Sequence, residues 1–372
     1  MTPNPILFLI DELEVGGSQR QILVLARAFK AAGHAVTVAY FREDNATLRP
    51  TFEAAGVAAR LVAKRPGIDP LFLLRLARFL AADPTRLVLT FGYSASLWTR
   101  LVGWRAAGSR SISCIRNLTY LPPATTGGTA LMTGFERVLA RRSRWIVANS
   151  SVTADAMIAR GLVERSKMLV IPNAIEETAR APRQAARARL RGLVGGPEEG
   201  PLVGTLARLV EVKDLPTLLR AARLVVDAVG DVRFVVGGEG SARAELEGLR
   251  AQLGLDGHVA FPGTLEGHDV IDGLDVAVLT STSEGMPNFV LEAMAAGVPV
   301  VSTRAGAAAE LLEEGTLGRL AAVGDARAVA DGILAVLRAP DEARARAERA
   351  AVKVREMTPE RIARRYLKLF ES

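Results

Sequence analysis

Cysteine is almost missing from this chain: Cys114 stands alone among 372 residues. A single thiol cannot close an internal disulfide, which excludes a stapled secreted scaffold and fits a reducing compartment. Cys114 falls in a predicted strand, where a buried, inert thiol is expected. Histidine is nearly as scarce. His34, His258 and His268 lie beside turns or at a helix exit, with no metal-ligand spacing between them, so each is read as solvated. No Asp-any-Asp pair occurs, so a divalent ion bridging a diphosphate would find no such carboxylate pair to hold it; neither a metal nor another cofactor is expected. Aromatic residues make up 5% of the chain, and no nucleic-acid-binding module is recognisable, which argues against a nucleic-acid partner. Long apolar runs are missing as well: no window of about 20 residues stays apolar and uncharged. The start, Met1-Thr2-Pro3-Asn4-Pro5, lacks the basic flank and cleavage pattern of a signal peptide. The expected location is cytoplasmic, either free or peripheral on the inner face of the membrane.

What is present is enough apolar material for two cores. Hydrophobic residues reach 49% and charged residues 23%, a globular composition at a length where two domains are the default. Short β-branched runs alternate with helix-length segments. In the first half they are Ile6–Ile10, Ala35–Tyr40, Ala58–Val62, Leu87–Thr90, Ser111–Ile115, Trp145–Ala148 and Met168–Ile171. In the second half they are Leu202–Leu206, Arg233–Val236, Val259–Phe261, Asp275–Leu279, Val298–Val301 and Arg319–Ala321. Alternation of this kind predicts α/β architecture, with parallel sheets covered by helices on both faces. The rhythm breaks at Ile171-Pro172-Asn173-Ala174-Ile175, which places a boundary after residue 172. The domains are then 1–172 and 173–356. A final helix from Pro359 to Phe370 carries Ile362, Tyr366, Leu369 and Phe370 on one face, a face that must dock on something.

Charge is unevenly shared. Residues 1–172 hold 22 Lys and Arg against 11 Asp and Glu, leaving 25 against 29 for residues 173–372. Within 100–144, Arg100, Arg105, Arg110, Arg116, Arg137, Arg141, Arg142 and Arg144 face one acid, Glu136. Such a stretch either attracts an anionic membrane surface or a phosphorylated acceptor, or is the solvated helix face of a chain rich in arginine throughout.

The most informative stretch is Ser283-Glu284-Gly285-Met286-Pro287-Asn288, continuing through Glu292 to Gly297-Val298-Pro299. An apolar strand leads in. Gly285 loosens the backbone, Pro287 suits the first helical position, and Gly297 and Pro299 stop the helix. The free amides of that helix start favour an anion, and two carboxylates beside them, Glu284 and Glu292, suit hydroxyl groups. A ligand with phosphate and several hydroxyls, such as a nucleotide sugar, fits that description. After the first strand of the second half, Arg208 and Lys213 stand where open parallel sheets bind ligands, able to clamp a diphosphate. Gly16-Gly17-Ser18 opens a helix after the first strand of the chain; it reads either as a plain capped loop or as a ligand turn. Gly237-Gly238-Glu239-Gly240 is a tight turn that lacks the third glycine of a dinucleotide fingerprint.

These residues resemble the family 4 retaining glycosyltransferases. The resemblance runs along nearly the whole chain, through Gly16-Gly17, Pro172-Asn173-Ala174, the Arg208…Lys213 pair, and Glu284 with Glu292 inside the Gly-Met-Pro-Asn…Ala-Met-Ala-Ala-Gly frame. It implies the GT-B fold: two Rossmann-like parallel-sheet domains facing each other across a cleft, with the last helix, 357–372, packing back on the first. It further implies that Arg208 and Lys213 bind the donor diphosphate. Glu284 and the backbone of Gly285, Met286, Pro287 and Asn288 would hold the sugar, and Glu292 would accept from ribose hydroxyls. Gly16 and Gly17 would border the donor, and Arg208, Lys213 and Glu284 would carry catalysis. One departure stands out. Where many members place a histidine after a first-domain strand, this chain has Arg116-Asn117, as can members acting on lipid-linked acceptors; the pair is a candidate acceptor or sugar contact.

The expected function is transfer of a sugar, with retention, from a nucleotide diphosphate sugar to a saccharide or lipid-linked acceptor. Two alternatives remain open on the sequence: a nucleotide-sugar epimerase or hydrolase on the same scaffold, and a non-catalytic nucleotide-sugar-binding partner of another transferase.

Overall fold

The computed structural model describes residues 3–66, 69–83, 86–102, 111–117, 134, 136–176, 182–265 and 270–371. Arg105, Arg110 and His268 lie outside the described residues. The chain forms two compact units, one of residues 1–176 with 357–372 and one of residues 177–356. The first crossing thus falls four residues after the position expected.

In the first unit seven strands form one parallel sheet: β1 (Ile6–Ile10), β2 (Val36–Tyr40), β3 (Ala58–Leu61), β4 (Leu87–Phe91), β5 (Ser111–Ile115), β6 (Trp145–Ala148) and β7 (Met168–Val170). Their order across the sheet is β3-β2-β1-β4-β5-β6-β7, and β1 takes Val36 and Leu87 as the two partners of Ile6. Because side chains alternate along a strand, β1 feeds two cores at once. Ile6, Phe8 and Ile10 enter one cluster with Val38, Leu89 and Phe29; Leu7 and Leu9 enter another with Phe41, Phe72 and Leu76. That double burial is why the strand reads as an unbroken apolar run rather than an alternating one.

The helices of this unit include α1 (Gly17–Ala31), α2 (Arg49–Ala54), α3 (Pro70–Ala81), α4 (Tyr93–Val102) and α5 (Ser151–Ala159). α3 begins with Pro70 behind Asp69, whose side chain accepts from the Phe72 amide at 3.0 Å. α5 begins behind Ser150, which accepts from Thr153. Both are ordinary N-terminal caps that satisfy one exposed amide.

The second unit repeats the plan with β8 (Leu202–Leu206), β9 (Arg233–Gly237), β10 (Val259–Ala260), β11 (Val276–Leu279), β12 (Val300–Thr303) and β13 (Arg319–Ala321). The order is β10-β9-β8-β11-β12-β13, all parallel. Its helices are α6 (Arg183–Val194), α7 (Leu215–Val229), α8 (Arg243–Gln252), α9 (Asn288–Ala295), α10 (Ala308–Leu311), α11 (Ala326–Arg338) and α12 (Pro340–Val354). α7 and α11 pack side by side in the core, through Leu218, Leu219 and Val225 of one and Val329, Ala330 and Ile333 of the other. β12 starts at Val300, two residues later than expected, because Pro299 has no amide to donate to the ladder and contributes only its carbonyl, to Ala277.

The last helix, α13 (Pro359–Glu371), lies in the first unit. Ile362, Ala363 and Tyr366 are buried in the β1 cluster, with Leu369 and Phe370 packed beside them, and the helix contacts α1. The Ile175 amide donates to the Met357 carbonyl at 2.8 Å, joining the outgoing and returning chain. No described helix is long and apolar enough to cross a membrane.

Candidate active site

In an open parallel sheet, ligands gather at the carboxyl edge where the strand order reverses, because loops from neighbouring strands diverge there. In the second unit the reversal falls between β8 and β11. Arg208 and Lys213 follow β8; Glu284 follows β11. The switch point is therefore flanked by two cations and a carboxylate.

Backbone contacts fix these loops. The Ala207 amide donates to Gly237 at 3.0 Å and the Leu209 amide to Glu239 at 2.9 Å, so the Arg208 loop is zipped onto the Gly237–Gly240 turn. A Cβ on Gly238 would sit 1.9 Å from the Ala207 carbonyl, at φ +136°, and one on Gly240 would sit 2.3 Å from the Leu209 carbonyl. The glycines of this turn admit a neighbouring backbone, which is the physical reason for a motif that resembled an incomplete dinucleotide fingerprint. Arg208 itself is exposed.

Lys213 ends a short 3-10 turn, Glu211–Lys213, and is followed by Asp214 in the left-handed region at φ 43°. Few residues besides glycine tolerate that conformation, aspartate being one of them. The reversal lets α7 start at once while Lys213 turns toward β11. Thr280 donates to the Lys213 carbonyl at 3.0 Å, and the Thr282 amide donates to Val212 at 2.9 Å. Lys213 Nζ then donates to Glu284 Oε1 at 2.5 Å, and Ser281 Oγ to the same oxygen at 2.8 Å. Among the described residues both side-chain bonds of Glu284 thus go to Oε1, leaving Oε2 for a further donor.

Gly285, Met286 and Pro287 lead into α9, which begins at Asn288 with Pro287 just before it rather than inside it. Met286 and Pro287 are buried, and Glu292 is half-buried one turn into the helix. Sequence reasoning missed the support beneath this loop. Gly306, after β12, has φ +54°, and a Cβ there would lie 1.9 Å from the Glu284 carbonyl. The Ala307 amide donates to the Gly285 carbonyl at 2.9 Å, and Thr303 Oγ1 to the Ser281 carbonyl at 2.7 Å. A glycine three residues past the end of a strand was the available signal.

The first unit has its own switch point, between β1 and β4. Gly16 and Gly17 open α1 there, with Gly16 in extended conformation and no side-chain cap. Asp11, at the end of β1, was not singled out by sequence. Its Oδ1 is buried with no partner among the described residues, and burial pushes its pKa up to about 6, against a hydrogen bond from Ser94 and the charges of Lys64 and Arg42.

Arg116 follows β5 at this edge, but the residue is only 9% exposed. It donates to Asn173 Oδ1 at 2.5 Å, lies 5.1 Å over the Phe91 ring, and reaches the Tyr366 hydroxyl at 3.5 Å. Gln21 holds the next residue from both sides, donating to the Ala174 carbonyl and accepting from its amide, each at 2.8 Å. Pro172-Asn173-Ala174 is therefore sewn to β5, α1 and α13. Asn117 is exposed. Cys114 is fully buried and its thiol pKa is pushed up to about 12 by desolvation. Among the described residues no group of three or more His, Cys, Asp or Glu could hold a metal ion.

Comparison with known proteins places the chain. Residues 15–178 match the profile of Glycosyltransferase Family 4, and residues 187–354 that of Glycosyl transferases group 1. A 2-deoxystreptamine glucosyltransferase of Streptomyces kanamyceticus is 30% identical over 66% of this chain and 66% of its own length. A D-inositol 3-phosphate glycosyltransferase of Streptomyces avermitilis is 29% identical over 82% of this chain and 72% of its own. The chain thus spans just under two thirds of the first relative. The crystal structure of Anabaena HepE with UDP and glucose superposes with a TM-score of 0.85 at 19% identity, covering all of both chains. With both halves matched by glycosyltransferase profiles and the whole by a fold of two parallel-sheet units, the chain belongs to the family 4 glycosyltransferases of GT-B fold.

Proposed function

We propose that this protein transfers a sugar from a nucleotide diphosphate sugar to a saccharide acceptor, with retention at the anomeric carbon. The observation that carries the proposal is the second unit's switch point, where Arg208 and Lys213 stand on one side and Glu284, with Oε2 unpartnered among the described residues, stands on the other. Two cations at a carboxyl edge suit a diphosphate, and a carboxylate oxygen suits a sugar hydroxyl. The amides that open α9 add positive potential, and Glu292 offers an acceptor to ribose. HepE holding UDP and glucose is consistent with such a donor.

In this reading the bond from the anomeric carbon to the diphosphate oxygen breaks as the acceptor oxygen bonds the same face. The departing diphosphate takes the acceptor's proton. No protein nucleophile is required. Arg208 and Lys213 stabilise the charge that grows on the leaving group, so catalysis is electrostatic and positional. The acceptor is assigned to the carboxyl edge of the first unit, near Gly16, Gly17 and Asp11. The excess of basic residues in that unit favours a lipid-linked or phosphorylated acceptor met at the inner face of a membrane.

Arg208→Ala and Lys213→Ala are each expected to lower turnover about a hundredfold or more, as losing one oxyanion donor does. A donor-consumption assay reads this directly. Near-normal transfer by both variants removes the clamp assignment.

A further inference from the structure

The eight arginines of residues 100–144 look uniform in sequence, but the described ones are not uniform in structure. Arg100 is buried and ion-paired with Glu136, while its Nε donates to Ser113 and Ser143. Arg116 is buried against Asn173. The exposed ones, Arg137, Arg141, Arg142 and Arg144, lie on or just after helical residues 136–140 and before β6. That is the amino edge of the sheet, opposite the edge that carries Asp11, Gly16 and Arg116.

There Arg137, Arg141 and Lys167 line a surface pocket of about 150 Å³ with Gly161, Leu162 and Glu164. Three cations face one acid. Two are positioned by carbonyls and not by carboxylates. Arg137 Nε donates to the Gly161 carbonyl at 2.6 Å. Lys167 Nζ donates to the carbonyls of Arg141, at 2.6 Å, and Ser143, at 3.3 Å. A carbonyl orients a cation without cancelling its charge, so the pocket keeps its positive potential. Glu164 approaches Arg141 only at 3.7 Å, with both side chains more than half exposed, a pairing worth little in water. Val138, on the same helical stretch, is 54% exposed, and Arg142 and Arg144 extend the charge beyond the pocket.

We propose that this amino-edge surface of the first unit is a docking site for an anionic phospholipid bilayer, with a lipid headgroup phosphate seated among Arg137, Arg141 and Lys167. A soluble phosphoryl ligand would need the pocket alone; the flanking arginines and exposed Val138 suit a broad charged interface. The surface lies at the edge opposite the acceptor position, so docking turns that position away from the bilayer and leaves it open to the saccharide end of an acceptor, not to its lipid end. The inference rests on the membrane part of the reading above for its purpose, and on charge and geometry for its content.

The test is sedimentation of the full chain with phosphatidylcholine vesicles, with and without phosphatidylglycerol, at two salt concentrations. Selective, salt-sensitive binding to the phosphatidylglycerol vesicles is expected. The triple variant R141Q/R144Q/K167Q should bind roughly a hundredfold more weakly, about fivefold for each cation removed. Thermal shift by nucleotide sugars should be retained, which shows the variant folded. Equal binding to neutral vesicles, or binding unchanged in the variant, overturns the proposal. Inorganic phosphate or an oligonucleotide bound at this surface without vesicle binding also overturns it. Transfer activity is measured separately with a soluble acceptor. Its absence in the wild type counts against the transferase reading, whereas vesicle binding decides the docking surface.

Discussion

Asp11→Asn should make the first unit more stable, and only above a defined pH. The folded carboxyl has its pKa raised from 3.8 to about 6, chiefly by burial at the end of β1. Ser94 and the charges of Lys64 and Arg42 oppose the shift, and Glu12 reinforces it. A pKa raised in the folded state means the folded chain binds more protons than the unfolded chain between these two values. Stability therefore falls as pH rises through that window and levels off above about pH 6. At 1.36 kcal/mol per unit the cost of carrying the ionised carboxylate is about 3 kcal/mol. Asparagine does not ionise and recovers this, less about 1 kcal/mol for an amide donor left without a partner. The net gain is about 2 kcal/mol at pH 7.5, vanishing or reversing below pH 4.

A two-unit chain need not unfold in one step. Its three tryptophans, Trp98, Trp104 and Trp145, all fall in the first unit's sequence. Urea unfolding followed by tryptophan fluorescence therefore reports on that unit. The decisive comparison is the variant minus the wild type at pH 4.5 and at pH 7.5. A variant that is less stable at both, or shifted equally at both, refutes the reasoning.

Other expectations follow from single contacts. Gly238→Ala forces a side chain into φ +136° and 1.9 Å from the Ala207 carbonyl; displacing the Arg208 loop should abolish the thermal shift by nucleotide sugars. Gly248→Ala, in α8 with open space around it, should instead stabilise the second unit by about 0.5–1 kcal/mol in the same melts. Arg100→Ala leaves Glu136 buried without its partner and should cost about 3–5 kcal/mol in urea, whereas replacing both with apolar residues should cost much less. Cys114 should resist a thiol reagent in the native protein and react at once in urea, since its thiol is buried and its pKa lies near 12. Turnover should survive EDTA, because the reading meets the diphosphate with Arg208, Lys213 and helix amides.

The strands were legible because both faces of each sheet are covered, so each strand is a short apolar run with a turn on either side. All thirteen expected runs hold a strand, with ends that moved by two residues at most. The frame that holds Arg208, Lys213, Glu284 and Glu292 was legible too, and the structure brings Lys213 and Glu284 of it into contact. What could not be read was the support. Gly238 and Gly306 matter for the backbone each admits, and that depends on loops far away in sequence. Nor could burial be read for arginines. Arg100, Arg116 and Arg141 look alike in a charge count, yet one is in a buried ion pair, one braces the Asn173 segment and one is exposed. Asp11 was invisible for the same reason: its unusual pKa comes from what covers it.

The pairing of Lys213 with Glu284 changes how the clamp must work. Assigned separately, one residue meets the diphosphate and the other the sugar. In the structure they meet each other at 2.5 Å, with side chains 21% and 14% exposed. If ligand binding had to separate them, it would leave two partly buried charges to be re-paired, a penalty that would weaken donor affinity. The geometry avoids this. An ammonium has three donors, and one suffices for Glu284 Oε1. A carboxylate has two oxygens, and the bonds from Lys213 and Ser281 both fall on Oε1. Each partner can therefore take up its share of the donor without releasing the other. Under the proposed function the pair would act as a spacer that fixes the distance between the cation assigned to the phosphate and the oxygen assigned to the sugar. Removing either charge should impair the placing of both halves of the donor, so the effects of Lys213→Ala and Glu284→Ala on turnover should fall short of additive when combined.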